Sequence, residues 1–445
     1  MKLIYSNNYK KRKQEEDIMK EKPVISVVGT GYVGLITGVA FAKLGFKVIC
    51  VDVDKTKVDK INKKIPPIYE KGLKEALEEA VPKNLTATTN LKNAVLKSSI
   101  TFICVGTPSM VEGRIYLKQM QDVSKEIGRA LREKKEHVVV VKSTVVPETT
   151  EKVIIATIEQ YSKKKFGKDF GVVMNPEFLR EGTALEDFLY PDRIVIGSSD
   201  KKSINSIKEI YKQINAPVVE CSFKEAEMIK YVSNAFLATK ISFINEIGNI
   251  CKKIGIDTNK IAYAIGLDKR IGPHFLRAGI GFGGSCFPKD VNALVYKATE
   301  KGYNARLLRA VLDVNSEQPL KLLALLDSMG YLNNHKKIGI LGLTFKAHTD
   351  DIRESPAIEV LKGLMLRNSE FYIYDPMGMP QMKKIFPHLN YMENAQEVAD
   401  KSDVILILTE WPEFKKVNFN GKKVIDGKNL FAENERPKNY EGICW

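Results

Sequence analysis

Between Val24 and Ile214, short apolar runs of β-forming residues alternate with amphipathic stretches. Val24–Val28, Lys47–Val51, Ile100–Val105, Val138–Val141, Gly171–Met174 and Arg193–Ile196 read as strands. Strands alternating with helices predict a parallel sheet covered on both faces. From about Phe223 to Gly255 the period changes. Met228, Val232, Phe236, Ile241, Ile244 and Ile247 recur at roughly helical spacing and no proline interrupts them, which predicts one long helix. A helix of that length between two α/β halves is expected to serve as a spine or a dimer interface. After a Gly-rich loop near Gly279–Pro288 and more helix, βα alternation returns at Lys337–Leu343, Phe371–Tyr374, Val404–Leu408 and Lys423–Asp426. That pattern predicts a second, smaller doubly wound domain.

One stretch imitates a membrane span: Val27 to Phe46 is almost free of charge. Gly29, Gly31, Gly34 and Gly38 break it, so a strand, a tight turn and a buried helix explain it better. The 445 residues call for two or three domains, and 44% hydrophobic with 28% charged residues is the composition of a soluble globular protein. A formal charge of +15 raises nucleic acid, an anionic membrane surface or an anionic small substrate as partners. The basic runs Lys10–Lys13 and Lys163–Lys165 have acids close by and no interleaved aromatics, so neither nucleic acid nor membrane is expected. The six cysteines lie far apart without C-x-x-C, and a reducing, cytoplasmic setting is expected. Cys50, Cys104 and Cys251 fall in apolar contexts and are expected in the core. The leader 1–21 has no hydrophobic run of the signal-peptide kind and is expected to be a flexible tail, with Met19 as an alternative start.

Gly29-Thr30-Gly31-Tyr32-Val33-Gly34 has the spacing G-x-G-x-x-G. Alone it is a weak signal. Here a strand precedes it, Leu35–Leu44 continues as a helix, Lys47–Val51 is the next strand and Asp52 ends that strand. Glycines permit the turn and let the backbone approach a pyrophosphate at the helix N-terminus, while a strand-end carboxylate binds a ribose hydroxyl. Asp52 would repel a 2′-phosphate, so NAD⁺ is expected rather than NADP⁺, with Lys57 also near the ribose. The fold expected is therefore α/β, two doubly wound Rossmann-like domains joined by a long central helix. Its parts are an NAD-binding domain over 22–215, a central helical region and dimer interface over 216–329, and a C-terminal domain over 330–445.

Gly281-Phe282-Gly283-Gly284-Ser285-Cys286-Phe287-Pro288-Lys289-Asp290 sets glycines directly before a cysteine and then starts a helix with an early proline. Backbone amides and the helix dipole would favour a thiolate at Cys286. A lone cysteine is nevertheless more often a structural residue. Lys230 and Asn234 stand four apart and share one helical face, where solvated surface is the ordinary reading of such a pair. Glu177 and Glu181 are also four apart, and exposed acids near a helix start would explain them equally well. No carboxylate pair calls for a metal, and none is expected.

Together with Gly29–Gly34, that cysteine segment, Phe102–Pro108, Asn175–Gly182 and Gly342–Lys346 resemble the UDP-glucose/GDP-mannose dehydrogenase family, over about Val24 to the C-terminus. Phe282–Asp290 and Thr349–Pro356 are most similar to the members that act on UDP-glucose. The resemblance implies a four-electron oxidation. C6 of the sugar becomes an aldehyde, is captured as a thiohemiacetal, and is oxidised to a thioester that water hydrolyses. Cys286 matches the family nucleophile. Lys230 and Asn234 match groups that stabilise the alkoxide and hold the C6 oxygen, with Asp290 and a water as base. Glu177 matches a residue that helps water attack the thioester, and Thr144 one that handles protons or positions water.

The same resemblance implies that Gly106, Thr107, Pro108, Thr144, Glu181 and Arg353 join Gly29, Gly31, Tyr32, Val33, Gly34, Asp52 and Lys57 at the cofactor. The sugar nucleotide is expected to meet residues of both halves: Glu177, Phe178, Leu179, Arg180, Lys230, Asn234, Gly279, Phe282, Gly283, Phe345 and Lys346, with Arg270 reaching across a homodimer interface. Two segments depart from the family pattern. Val145-Val146-Pro147-Glu148 replaces a proline-and-glycine turn, and Arg277-Ala278-Gly279-Ile280 replaces a Pro-Gly pair before the cysteine loop. Alternative readings are a sister enzyme for GDP-mannose or a UDP-N-acetylhexosamine, a non-catalytic nucleotide-binding protein, and a basic nucleic-acid-binding protein.

Overall fold

The computed structural model describes residues 22–332 and 336–445; the leader 1–21 lies outside the described residues. The chain forms two compact units. One runs to Thr107 and resumes over Leu117–Glu227; the other comprises Pro108–Tyr116 and Met228–Trp445.

The first unit is built on eight strands: β1 (Ile25–Val28), β2 (Val48–Val51), β3 (Leu85–Thr88), β4 (Ile100–Ile103), β5 (Val138–Val141), β6 (Gly171–Met174), β7 (Ile194–Gly197) and β8 (Val218–Cys221). Their order is β3-β2-β1-β4-β5-β6-β7-β8, and β1 to β6 give the 3-2-1-4-5-6 arrangement of a dinucleotide-binding sheet. β1, β4, β6 and β7 are buried at every position, which is why they read as unbroken apolar runs. Helix Tyr32–Lys43 is buried from Gly34 to Ala42, so the charge-free stretch after the Gly-rich turn is a core helix. Phe41 at its centre packs against Phe46, Phe102, Phe188 and Tyr211 with ring centroids 5.2–5.7 Å apart. Among the described residues no helix is long and apolar enough to cross a membrane.

The sheet departs from the all-parallel expectation at one place. β7 runs antiparallel to β6 and pairs with it only at Met174 and Gly197. The connection between them contains one six-residue helix, Ala184–Leu189. Two strands that the hydrophobic pattern did not predict, β3 and β8, lie at the sheet edges, where fewer positions are buried.

The second unit contains β9 (Ile338–Leu341), β10 (Phe371–Tyr374), β11 (Asn390–Tyr391), β12 (Val404–Ile407), β13 (Lys423–Asp426) and β14 (Tyr440–Gly442). These form a wholly parallel sheet in the order β11-β10-β9-β12-β13-β14, the same arrangement again. The long helix predicted from about Phe223 is a 32-residue helix, Phe223–Ile254, about 48 Å long, and it joins the two Rossmann-like domains. Helices Phe287–Glu300 and Arg306–Ser328 follow the Gly-rich loop.

Candidate active site

In the first unit, β1 feeds the turn at Gly29, where φ is +92°, and the chain enters helix Tyr32–Lys43. A Cβ on Gly34 would stand 1.8 Å from the Gly29 carbonyl oxygen, so that glycine is required by packing. A Cβ on Gly31 would meet nothing within 4 Å. Gly31 is the N-cap and makes no side-chain capping bond, so open space faces the start of a helix whose first amides seek acceptors. Tyr32 and Val33 are half-buried in the first turn.

Asp52, one residue past β2, accepts on Oδ2 from the Thr30 backbone N–H (2.8 Å) and hydroxyl (2.6 Å), and on Oδ1 from Asp54 N–H (3.0 Å). Burial works to raise its pKa, but the Thr30 and Asp54 donors and the charge of Lys57 outweigh it and hold the carboxyl below its usual range. An ionised carboxylate with a lone pair to spare suits a ribose hydroxyl. The second unit supplies an internal comparison. Asp375, one residue past β10, accepts from Leu343, Thr344, Met377 and Gly378 N–H, the Thr344 hydroxyl and the Trp411 indole, which consumes both oxygens. The residues of the first unit fit a dinucleotide, and the equivalent carboxylate of the second is spent internally.

The other first-unit candidates cluster at the carboxyl ends of β4, β5 and β6, the side on which open α/β sheets bind ligands. Gly106 and Thr107 follow β4, with Pro108 next in the chain as the first residue of the second unit's 108–116 segment, and the Thr107 hydroxyl donates to the Thr144 carbonyl at 2.9 Å. Thr144 is half-buried just past β5. Beyond β6, Asn175 is held by Lys142 Nζ (3.0 Å) and the Tyr211 hydroxyl (2.7 Å), and donates to Val195 O (2.8 Å). Glu177, 6% exposed, accepts from Leu179 N–H at 2.5 Å. It is therefore no exposed helix-capping acid. Phe178 lies 3.8 Å under the Arg193 guanidinium. The Arg180 fork closes on Asp187, with Nη2 to Oδ1 at 2.6 Å and Nε to Oδ2 at 3.1 Å. Glu181 follows, half-buried.

In the second unit Lys230 and Asn234 lie on the long helix with 3% and 6% of their surface exposed. Burial overturns the solvated-face reading of the pair. Asn234 Nδ2 donates to Asp290 Oδ2 at 2.6 Å, and Lys289 Nζ donates to the other oxygen of that buried carboxylate. Asp290 N–H in turn bonds the Cys286 carbonyl at 2.8 Å, so one helical turn connects the carboxylate to the cysteine. Cys286 is the N-cap of helix Phe287–Glu300, with Pro288 in the first turn, and of the six cysteines it alone is exposed. Cys50, Cys104 and Cys251 are buried, as their apolar contexts predict.

The loop before Cys286 is fixed by partners that spacing does not reveal. Asn245 accepts from Gly279 N–H (2.8 Å), Gln318 donates to Gly279 O (2.7 Å), and Asn315 accepts from Phe282 N–H (2.7 Å) and donates to Phe282 O (3.1 Å). Gly283 sits so close that a Cβ would lie 2.2 Å from Glu354 O, and Gly284 N–H bonds Arg353 O at 2.9 Å. Phe345 flanks Gly284, and Lys346 Nζ lies 5.7 Å from the Phe345 ring. Lys428 Nζ donates to Phe345 O at 2.9 Å. Arg353 is paired with Asp351, and Arg270, largely exposed, with Asp268. Amide side chains recurring on the long helices were the sequence signal for Asn245, Asn315 and Gln318.

Chemically, the second unit presents an exposed thiol at a helix start beside a buried Lys, Asn and Asp group, and the first presents a dinucleotide cradle. Among the described residues no group of three or more His, Cys, Asp or Glu side chains is placed to hold a metal ion. Comparison with known proteins agrees with this inventory. Residues 23–215 match the NAD binding domain of the UDP-glucose/GDP-mannose dehydrogenase family, 224–317 its central domain and 339–433 its UDP binding domain. The chain is 42% identical over 422 residues to the UDP-glucose 6-dehydrogenase AglM of Haloferax volcanii, covering 92% of this chain and 98% of that one. It is 41% identical over 421 residues to the UDP-glucose 6-dehydrogenase TuaD of Bacillus subtilis, covering 92% and 90%. A UDP-glucose dehydrogenase structure from Pyrobaculum islandicum superposes with a TM-score of 0.91 at 41% identity, covering 95% of this chain and 98% of that one. With all three of its domains matched in order, the chain belongs to the UDP-glucose/GDP-mannose dehydrogenase family.

Proposed function

We propose that this dehydrogenase oxidises C6 of UDP-glucose through the aldehyde to the carboxylate, giving UDP-glucuronate. The observation that carries the reading is the bonded group Asn234–Asp290–Lys289 with Lys230 on the same helix face, one turn from an exposed cysteine at a helix start. Bound NAD⁺ supplies the hydride acceptor for each of the two oxidations.

Asp290, through a water, takes the proton from the C6 hydroxyl, while Lys230 and Asn234 stabilise the oxygen as it gains charge. The Cys286 thiolate adds to the aldehyde carbon, forming the C–S bond of a thiohemiacetal. Loss of the second hydride from that carbon, with the adduct's hydroxyl proton released through the water at Asp290, leaves a thioester. Water, oriented by Glu177 and Thr144, displaces the thiol, so the carboxylate leaves and Cys286 is regenerated. The adduct also keeps the aldehyde from escaping between the two oxidations. In this reading residues 22–215 serve NAD⁺, 216–329 form the central region and 330–445 bind the UDP moiety.

Val232, Phe236, Phe243, Ile250 and Ile254 leave an exposed apolar stripe along the long helix. A second copy of the chain covering it, with Arg270 nearby, is the proposed homodimer. Widely spaced cysteines, four of them buried, support a cytoplasmic setting. The test is the NADH formed per sugar nucleotide consumed, with UDP-glucose, GDP-mannose and UDP-N-acetylglucosamine assayed separately. Two NADH per UDP-glucose, with little signal from the others, is expected. One NADH, or preference for another sugar, overturns the assignment.

A further inference from the structure

Glu70 has no role in the chemistry above. It lies between helices Lys55–Asn62 and Leu73–Ala80, outside any regular element, and yet its side chain is only 7% exposed. Three donors converge on it. The Tyr32 hydroxyl donates to Oε2, Gly182 N–H to the same oxygen at 2.7 Å, and Ala184 N–H to Oε1 at 2.8 Å. Gly182 N–H also lies 2.9 Å from the Tyr32 oxygen, which closes a three-membered network. The Tyr32 hydroxyl is pushed well above its usual pKa, first by burial and then by Glu70, so it stays a donor throughout the working range.

These donors belong to two particular places. Tyr32 directly follows Gly31, at the helix start facing the open space where a pyrophosphate fits, and Gly182 directly follows Glu181 on the segment after β6. We propose that Glu70 is a positioning residue for the dinucleotide, fixing the spacing between the helix start at Gly31–Tyr32 and the Glu181–Gly182 loop. The proposal rests on the reading above of Glu181 as a cofactor residue, taken here to face the nicotinamide end. A carboxylate suits the task because its bonds to neutral donors are charge-assisted and hold direction, and an apolar side chain there would leave the buried Ala184 N–H without its acceptor and the Tyr32 hydroxyl and Gly182 N–H without the carboxylate that joins them. A ligand held at both ends is sensitive to their separation: a misplacement of about 1 Å costs on the order of 100-fold in rate.

The experiment is calorimetric titration of the full chain with NAD⁺ and, separately, with ADP, using Glu70→Gln, Tyr32→Phe and the double variant. ADP reaches the helix start but not the Glu181 side. Glu70→Gln is expected to weaken NAD⁺ binding about tenfold and ADP binding less than threefold, and to lower kcat at least fivefold with the KM for sugar nucleotide unchanged. Tyr32→Phe alone is expected to weaken NAD⁺ about threefold. The double variant should lie within about twofold of Glu70→Gln, because both changes remove one shared bond. Equal losses for NAD⁺ and ADP, additive effects in the double variant, or NAD⁺ affinity in Glu70→Gln within twofold of the parent overturns the proposal. Should Glu70→Gln fail to fold, Tyr32→Phe decides, and unchanged NAD⁺ affinity refutes the coupling. Absence of turnover with every sugar nucleotide would defeat the proposed reaction and leave these titrations standing.

Discussion

Replacing Cys286 with serine separates the chemistry from the fold. The side chain is exposed, so the change removes no core packing. Cys286 is the N-cap of helix Phe287–Glu300 and makes no side-chain capping bond. Serine is a preferred N-cap, so stability should hold or rise by up to about 0.5–1 kcal/mol, an upward shift of no more than about 1–4 °C in melting temperature. Binding of NAD⁺ and UDP-glucose should stay within about threefold of the parent. The reaction should not. A serine hydroxyl is far less ionised than a thiol at a helix start, so formation of the adduct, and with it the second oxidation, should slow at least about 1,000-fold, or roughly 4 kcal/mol. The assay is NADH absorbance over complete turnover, with intact-mass measurement of the parent during turnover to detect a sugar adduct on Cys286. Uronate production by Cys286→Ser at more than about one hundredth of the parent rate would refute the covalent route.

Other consequences follow from the packing. Asp290→Ala strips the acceptor from Asn234 and Lys289; with charge-assisted bonds worth about 1.5–3 kcal/mol each, the urea midpoint should fall by the equivalent of about 3 kcal/mol and kcat by at least tenfold, and an unchanged midpoint would contradict the bonded triad. Gly31→Ala should fold normally and bind NAD⁺ more than about tenfold less tightly, because the new methyl enters open space, whereas Gly34→Ala should fail to fold because its methyl meets backbone; NAD⁺ titration and circular dichroism distinguish them. Glu227 is fully buried, and burial pushes its pKa up to about 7 against the opposing Thr150 and Glu148 donors. Between about pH 4.3 and 7 the folded chain keeps a proton that the unfolded chain has lost, so this stabilisation is complete below pH 4.3 and is lost as pH rises through 7, by on the order of 3 kcal/mol. Urea titrations at pH 5 and pH 8 should show that fall in the parent and a flatter dependence in Glu227→Gln; equal slopes would show that burial of Glu227 is not responsible.

The sequence by itself determined the elements whose causes are local. β1, the turn at Gly29, helix Tyr32–Lys43 and Asp52 were legible because a buried strand is a continuous apolar run and because a tight turn against a helix admits only glycine at Gly34. The long helix was legible from its period. Cys286, Lys230 and Asp290 were singled out by the resemblance to the family; residue type and spacing alone favoured a structural cysteine and a solvated face for Lys230 and Asn234. Tertiary structure decided what depends on partners distant in sequence. It buried that pair and joined Asn234 to Asp290, 56 residues on. The edge strands β3, β8 and β14 carry too few buried positions to stand out, since an edge has one neighbour and a wet flank, and the antiparallel run of β7 against β6 has no counterpart in the hydrophobic pattern, which is the same for either direction. Glu70 meets Gly182 across 112 residues, and Asn315 meets Phe282 across 33. A buried polar group must find some partner, but its own residue type does not say which one; only the packing of the elements around it makes that choice.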